Sequence, residues 1–288
     1  MAYRHIVVLA CGGREDDPAL AVAVALAVQN QALVRVLPAF ADISADLVAL
    51  GQAVGTIVPQ EAYEALDEAS RALQDRILFS SRQACEAADI AYGPGEGVPR
   101  LEVERHDRAA WLAEPRTAAL ADLVIIGQGF LDRPGGGGRG LLEEALLELR
   151  VPVLVVRGDP DSLAGPAAIA WDGSVEAAHA VRAALPLLGQ AGRTAILQHA
   201  EGVDLIDAAP APEALARYLA LHELGAAEVA QVEGDDVGQA LLARARSLGA
   251  GLIVAGAFEH SRLRQAVFGG VTRDLIEDRD GPSLLLAH

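Results

Sequence analysis

The residues best suited to chemistry lie near the end of the chain. Gly256, Gly269 and Gly270 frame a polar segment that carries Glu259, His260, Arg262 and Arg264. The run Leu252 to Ala255 ends in Gly256 and reads as a buried parallel strand. A helix-compatible segment with Thr272 in its first turn begins near Gly269-Gly270. Asp280-Gly281-Pro282 then breaks the chain before the short strand Ser283 to Leu286. A helix start presents unpaired N–H groups and a positive dipole end, so a strand, loop and helix of this kind suits an anion. Asp172 ends another apolar run, in the setting Trp171-Asp172-Gly173-Ser174. Its carboxylate could accept hydrogen bonds from sugar hydroxyls; equally, Asp172 or Ser174 could cap the helix that follows. Other candidates do not converge. His106-Asp107 and His199 sit at strand ends without a nucleophile signature, and Trp111 and Trp171 read as packing residues.

These residues must be positioned by alternating strands and helices. Strands are expected at His5 to Ala10, Leu33 to Leu37, Leu101 to Arg105, Leu123 to Ile126 and Val153 to Val156. Helices are expected from Ala19 to Val28, after a cap from Asp16 and Asp17, from Gln60 to Ala88 and from Arg108 to Ala121. Tyr92 to Pro99 reads as a Gly/Pro loop. After a linker around Gly158 to Pro166 the pattern restarts, with strands at Ala167 to Trp171, Thr194 to Leu197, Glu228 to Val232, Leu252 to Ala255 and Ser283 to Leu286. Val175 to Leu188 is the first helix of this second series. Such alternation indicates a parallel sheet covered on both faces.

The two series are copies of one unit. Gly127 matches Gly256, Gly140 matches Gly269, Pro152 matches Pro282 and Cys11 matches Asp172. The first copy is longer, and its extra residues fall between its second and third strands, including Ala41 to Pro59. The expected domains are therefore 1–157 and 167–288, with 158–166 as the linker.

With these landmarks in place the chain resembles the universal stress protein family. That family's nucleotide signature is Gly, two residues, Gly, nine residues, Gly, then Ser or Thr. Here the four positions are Gly256, Glu259, Gly269 and Gly270. The resemblance implies two tandem doubly wound α/β domains, each a five-stranded parallel sheet of order 3-2-1-4-5 with helices on both faces. It also implies a pseudo-twofold axis across which the last strands pair, and a cytoplasmic role in stress survival. In nucleotide-binding members the acidic residue ending the first strand contacts adenosine and the glycine loop holds phosphate. Carried over, ATP or AMP would be held in the second copy by Asp172, Gly256, Gly269 and Gly270; outside the signature, Thr272 could partly replace the missing hydroxyl, and Arg262 and Arg264 as phosphate ligands, or magnesium bridging Glu259 to the phosphates, could offset that carboxylate. The first copy has Cys11, Phe130 and Leu141 at the corresponding places, so no nucleotide is expected there.

Glu259 argues the other way. At about 4 Å a carboxylate beside a phosphate costs roughly 1–4 kcal/mol for effective dielectrics of 80 down to 20. A non-nucleotide interaction module of the same fold is therefore the alternative, and a slow adenine-nucleotide hydrolase a third reading, for which no catalytic residue or metal ligand is visible.

Composition narrows the rest. A formal net charge of −17 excludes a basic nucleic-acid surface, and all 23 basic residues are arginine. Without lysine there is no Walker-type phosphate lysine and no Schiff base. No apolar run reaches the roughly 18 residues of a membrane span. The apolar start reads as a strand rather than a signal peptide, which points to the cytoplasm. Cys11 and Cys85 match no metal or redox spacing and read as small buried hydrophobes. A homodimer or an internal pseudo-dimer is expected.

Overall fold

The structure is a computed structural model that describes residues 2–39, 59–104, 118–133, 137–199, 211–257 and 270–288. The described residues form one 11-stranded sheet. The strands are β1 (His5–Ala10), β2 (Leu33–Pro38), β3 (Ala91–Tyr92), β4 (Arg100–Val103), β5 (Leu123–Gly127) and β6 (Val153–Val156), followed by β7 (Ala167–Ala170), β8 (Thr194–His199), β9 (Glu228–Val232), β10 (Leu252–Gly256) and β11 (Ser283–Ala287). They lie in the order β3-β4-β2-β1-β5-β6-β11-β10-β7-β8-β9. Every pairing is parallel except β6 with β11, which are antiparallel, with Leu285 opposite Leu154.

Each half of the sheet thus places its first strand centrally, β1 between β2 and β5, and β7 between β8 and β10. The first half differs from a plain five-stranded unit. Tyr92, the first residue of the segment read as a Gly/Pro loop, belongs to β3, a two-residue strand that pairs in parallel with β4. The β6–β11 pairing removes two edges that would otherwise expose unpaired backbone groups.

Strand composition follows from burial. Leu123–Gly127, Val153–Val156 and Ser283–Ala287 are buried at every residue, because both faces of a parallel sheet are covered. Ile6, Val8, Leu154, Ile169, Val254 and Leu285 join one core; Val7, Leu9, Val153, Val155, Ile253 and Leu284 join the other. The first core takes side chains from α1 (Asp17–Asn30) and α2 (Gln60–Ala88), and from α5 (Val175–Leu188) and α6 (Pro212–Leu221). The second takes them from α3 (Gln128–Leu131), α4 (Gly138–Glu143), α7 (Val237–Ser247) and α8 (Gly270–Glu277). Helix α1 is apolar nearly all round, since it packs against the sheet, α2 and the turn Pro160–Ala164 together. The helix expected from Arg108 to Ala121 lies outside the described residues except for its last four. Among the described residues no helix is long and apolar enough to cross a membrane.

Candidate functional site

The site grows from the carboxyl end of β7, where a doubly wound sheet opens toward a ligand. After Ala170 the chain turns through Trp171, Asp172, Gly173 and Ser174, and Gly173 takes φ +82, a conformation that glycine adopts without strain. The Asp172 Oδ1 accepts the Ser174 N–H at 2.8 Å, closing an Asx turn. Ser174, not Asp172, caps α5, its hydroxyl accepting the Ala177 N–H at 3.0 Å. The carboxylate of Asp172 therefore shapes the loop rather than the helix.

Beside it, β10 ends at Gly256, pressed against the first turn of α5. A Cβ there would lie 2.6 Å from the Ala177 nitrogen and 2.9 Å from the Glu176 carbonyl carbon. This glycine is required by backbone contact between strand end and helix start, whatever the loop beyond it does. On the other side β8 ends at His199, which is buried, with its Nε2 2.8 Å from the Gly234 carbonyl oxygen. Helix α8 begins at Gly270 and carries buried Thr272 in its first turn.

Between these elements lies a cleft of about 210 Å³. Asp172, Gly256, Gly270 and Thr272 all line it, so four of the six candidate residues come together. Arg262 and Gly269, together with Glu259, His260 and Arg264, lie outside the described residues. Ala170, Leu197, Val237, Leu241 and Ala255 make the walls mostly aliphatic, with buried Trp171 alongside. Its charged described lining residues are both acids, Asp172 and Glu176. The N-terminal turns of α5 and α8 both border it and bring the positive ends of two helix dipoles. No group of three or more His, Cys, Asp or Glu side chains suited to a metal occurs among the described residues.

His199 and Glu176 were not picked out as site residues by sequence. The sequence marks His199 only as a strand-end histidine. The signal that could have found it is positional: in this fold the ends of the first, second and fourth strands of a half meet at one cleft.

In the first half the strand-end turn is bonded by its own chain. The turn Arg14–Asp16 follows Gly13, and the buried Asp16 carboxylate accepts the Gly12 N–H at 2.7 Å and the Cys11 N–H at 3.1 Å. The cap expected from Asp16 is thus corrected. Its side chain makes no bond to the α1 amides and reaches back to two orphan amides of the strand-end turn. Glu15 packs against Gly13, Gly127 and Gly129, where any Cβ would collide with it, and Leu73 of α2 lies over Gly12. Phe130 and Leu141 are buried in the core, as apolar packing requires. Burial pushes the Cys11 thiol up to about 12, with nearby Asp16 adding to the shift, and burial likewise raises the Asp16 carboxyl. Arg133 donates to the Cys11 carbonyl at 3.1 Å.

No protein-family model and no curated protein sequence matches the chain. Solved structures do. A universal stress protein from Archaeoglobus fulgidus DSM 4304 superposes with a TM-score of 0.66 at 16% identity, over 98% of this chain and 95% of that one. A functionally unknown protein from Pseudomonas aeruginosa PAO1 gives 0.53 at 18% identity, over 99% and 92%. Over nearly its full length, the chain has the fold of the universal stress proteins.

Proposed function

We propose that this chain is a tandem universal stress protein whose second half binds an adenine nucleotide, AMP or ATP, or a related anion. Units 1–157 and 167–288 would act as two domains of one internal pseudo-dimer. The observation that supports this reading is the convergence of Asp172, Gly256, Gly270 and Thr272 on one aliphatic cleft at the carboxyl ends of β7 and β10. Aliphatic walls suit a purine face, and a carboxylate at the strand end suits ribose hydroxyls. The first-turn amides and Thr272 hydroxyl of α8 suit a phosphate. Arg262 and Gly269 would complete the phosphate side, with a divalent cation such as magnesium offsetting Glu259. A cytoplasmic, regulatory role goes with this reading.

The test is isothermal titration of ligand-free protein with AMP and with ATP plus magnesium, alongside native mass spectrometry of gently purified protein. One adenine nucleotide per chain is expected. An interaction module of the same fold is the second reading, favoured by the acids Asp172 and Glu176 being the charged described residues of the cleft. That reading predicts no heat with either nucleotide at millimolar concentration. Nucleotide turnover above background would instead support the hydrolase reading.

A further inference from the structure

Helix α8 supplies the first-turn residues Gly270 and Thr272 to the cleft, and its other end is held by the opposite half of the molecule. Arg157, the first residue after β6, donates from Nη2 to the Leu275 and Ile276 carbonyls, from Nη1 to the Pro282 carbonyl at 2.9 Å and from Nε to the Gln128 Oε1 at 2.9 Å. Gln128 in turn donates to the Ile276 carbonyl at 3.1 Å. These acceptors include last-turn carbonyls that a helix cannot satisfy internally, and a cation at a helix C-terminus complements its dipole. Two ion pairs flank the contact, Arg139 with Glu277 at 3.2 Å and Arg279 with Asp132 at 3.0 Å.

The arrangement repeats with a difference. His288 occupies the place after β11 that Arg157 occupies after β6. Its Nδ1 lies 2.9 Å from the carbonyl of Ala257, the residue after the leading glycine Gly256. Gln128 is likewise the residue after the leading glycine Gly127. In both halves, then, the residue following the last strand holds the residue following the first motif glycine. Arg157 also reaches across the β6–β11 seam to grip a helix of the other half.

We propose that Arg157, seated on Gln128, is a positioning residue for the second-half cleft: it fixes the C-terminal turn of α8 and thereby the placement of Gly270 and Thr272. The helix has eight residues, about 12 Å from end to end, so it moves as a short rod. The first half contributes to the second-half site by holding this rod. The inference rests on the reading that the cleft takes a nucleotide.

The experiment uses full-length protein with AMP as probe and compares Arg157→Gln, Arg157→Lys and Arg4→Gln. Arg4 is the control, because its Nη1 holds the last carbonyls of α1, at 2.9 Å from the Asn30 oxygen, far from the cleft in sequence and fold. Arg157→Gln is expected to weaken AMP binding about tenfold or more, Arg157→Lys less, and Arg4→Gln less than about twofold despite a lower Tm. Folded Arg157 variants that bind AMP like the wild type would overturn the proposal. If wild-type protein binds no AMP, the nucleotide reading fails, and hydrogen exchange decides this one separately. Faster exchange of the α8 amides in Arg157→Gln than in Arg4→Gln supports positioning; equal exchange removes it.

Discussion

Replacing Gly256 by alanine tests whether the leading glycine is held by packing or by a ligand. The added Cβ would stand 2.6 Å from the Ala177 nitrogen, 2.9 Å from the Glu176 carbonyl carbon and 3.0 Å from its Cβ. Two of these three atoms are backbone of the first turn of α5, so no rotamer change relieves the contact. Ordinary van der Waals contact begins near 3.4 Å, so α5 must retreat from β10 by several tenths of an ångström. That helix is anchored by Ala177, Ala180, Val181 and Ala184, all buried on the sheet. Forcing such a shift costs about 1–3 kcal/mol, which lowers Tm by roughly 2–12 °C for a chain of this size. At Gly270 a Cβ meets no atom of the described residues within 4 Å, and Gly270→Ser should leave Tm unchanged or raise it slightly through better helix propensity. Differential scanning calorimetry on both ligand-free variants makes the comparison. An unchanged Tm for Gly256→Ala would refute the packing argument, because no ligand is present to supply another reason for the glycine.

Three further outcomes follow from the same contacts. Ser174→Ala removes the side-chain cap of α5 and should cost about 1 kcal/mol in denaturant unfolding, with no loss if the cap is immaterial. Cys11 and Cys85 are buried, with thiols raised to about 12 and about 11, so a neutral thiol reagent should titrate neither in native protein and both after unfolding; fast native labelling at pH 8 would contradict this. The Asp16 carboxyl is raised in the folded state, chiefly by burial, so its contribution to stability is fully present below the unfolded value of about 3.9 and is lost as pH rises through the folded one. The Tm difference between Asp16→Asn and wild type should therefore move in the variant's favour as pH rises from about 4 to 7. A shift the other way would mean that the two amide bonds outweigh desolvation.

Much of this architecture is legible in the sequence because the sheet is buried on both faces. LVIIG, VLVV, LIVAG and SLLLA each read as apolar runs bounded by Gly, Pro or Asp, and each is a strand. The repeat adds the second signal, since Gly127 and Gly256 are both pinned against the turn or helix that follows the first strand of their half. Less legible are elements without periodicity. Strand β3 has two residues, and the segment before α4 is a glycine run that carries no helical pattern. The backward bonds of Asp16 were hidden for another reason. An aspartate before Asp17-Pro18 looks like a helix cap, and only the fold shows two closer amides at Cys11 and Gly12. His199 and Arg157 escape for the same cause, as the Gly234 partner of His199 lies 35 residues away and the Pro282 partner of Arg157 125.

The two halves have diverged through this one corner. In the second, Asp172 turns toward Ser174 and leaves an aliphatic cleft between β7, β8 and β10. In the first, the Asp16 carboxylate accepts the Cys11 and Gly12 amides of the strand-end turn, and Leu73 of α2 lies against Gly12. A carboxylate bound to the strand-end amides occupies donors that an anionic ligand would otherwise reach.

The most direct test is isothermal titration of AMP into ligand-free wild-type protein and into Asp172→Ala. Binding at one site per chain in the wild type, weakened by about tenfold or more in the variant, is the result this account predicts. Absence of binding to either protein, or equal binding to both, would contradict it.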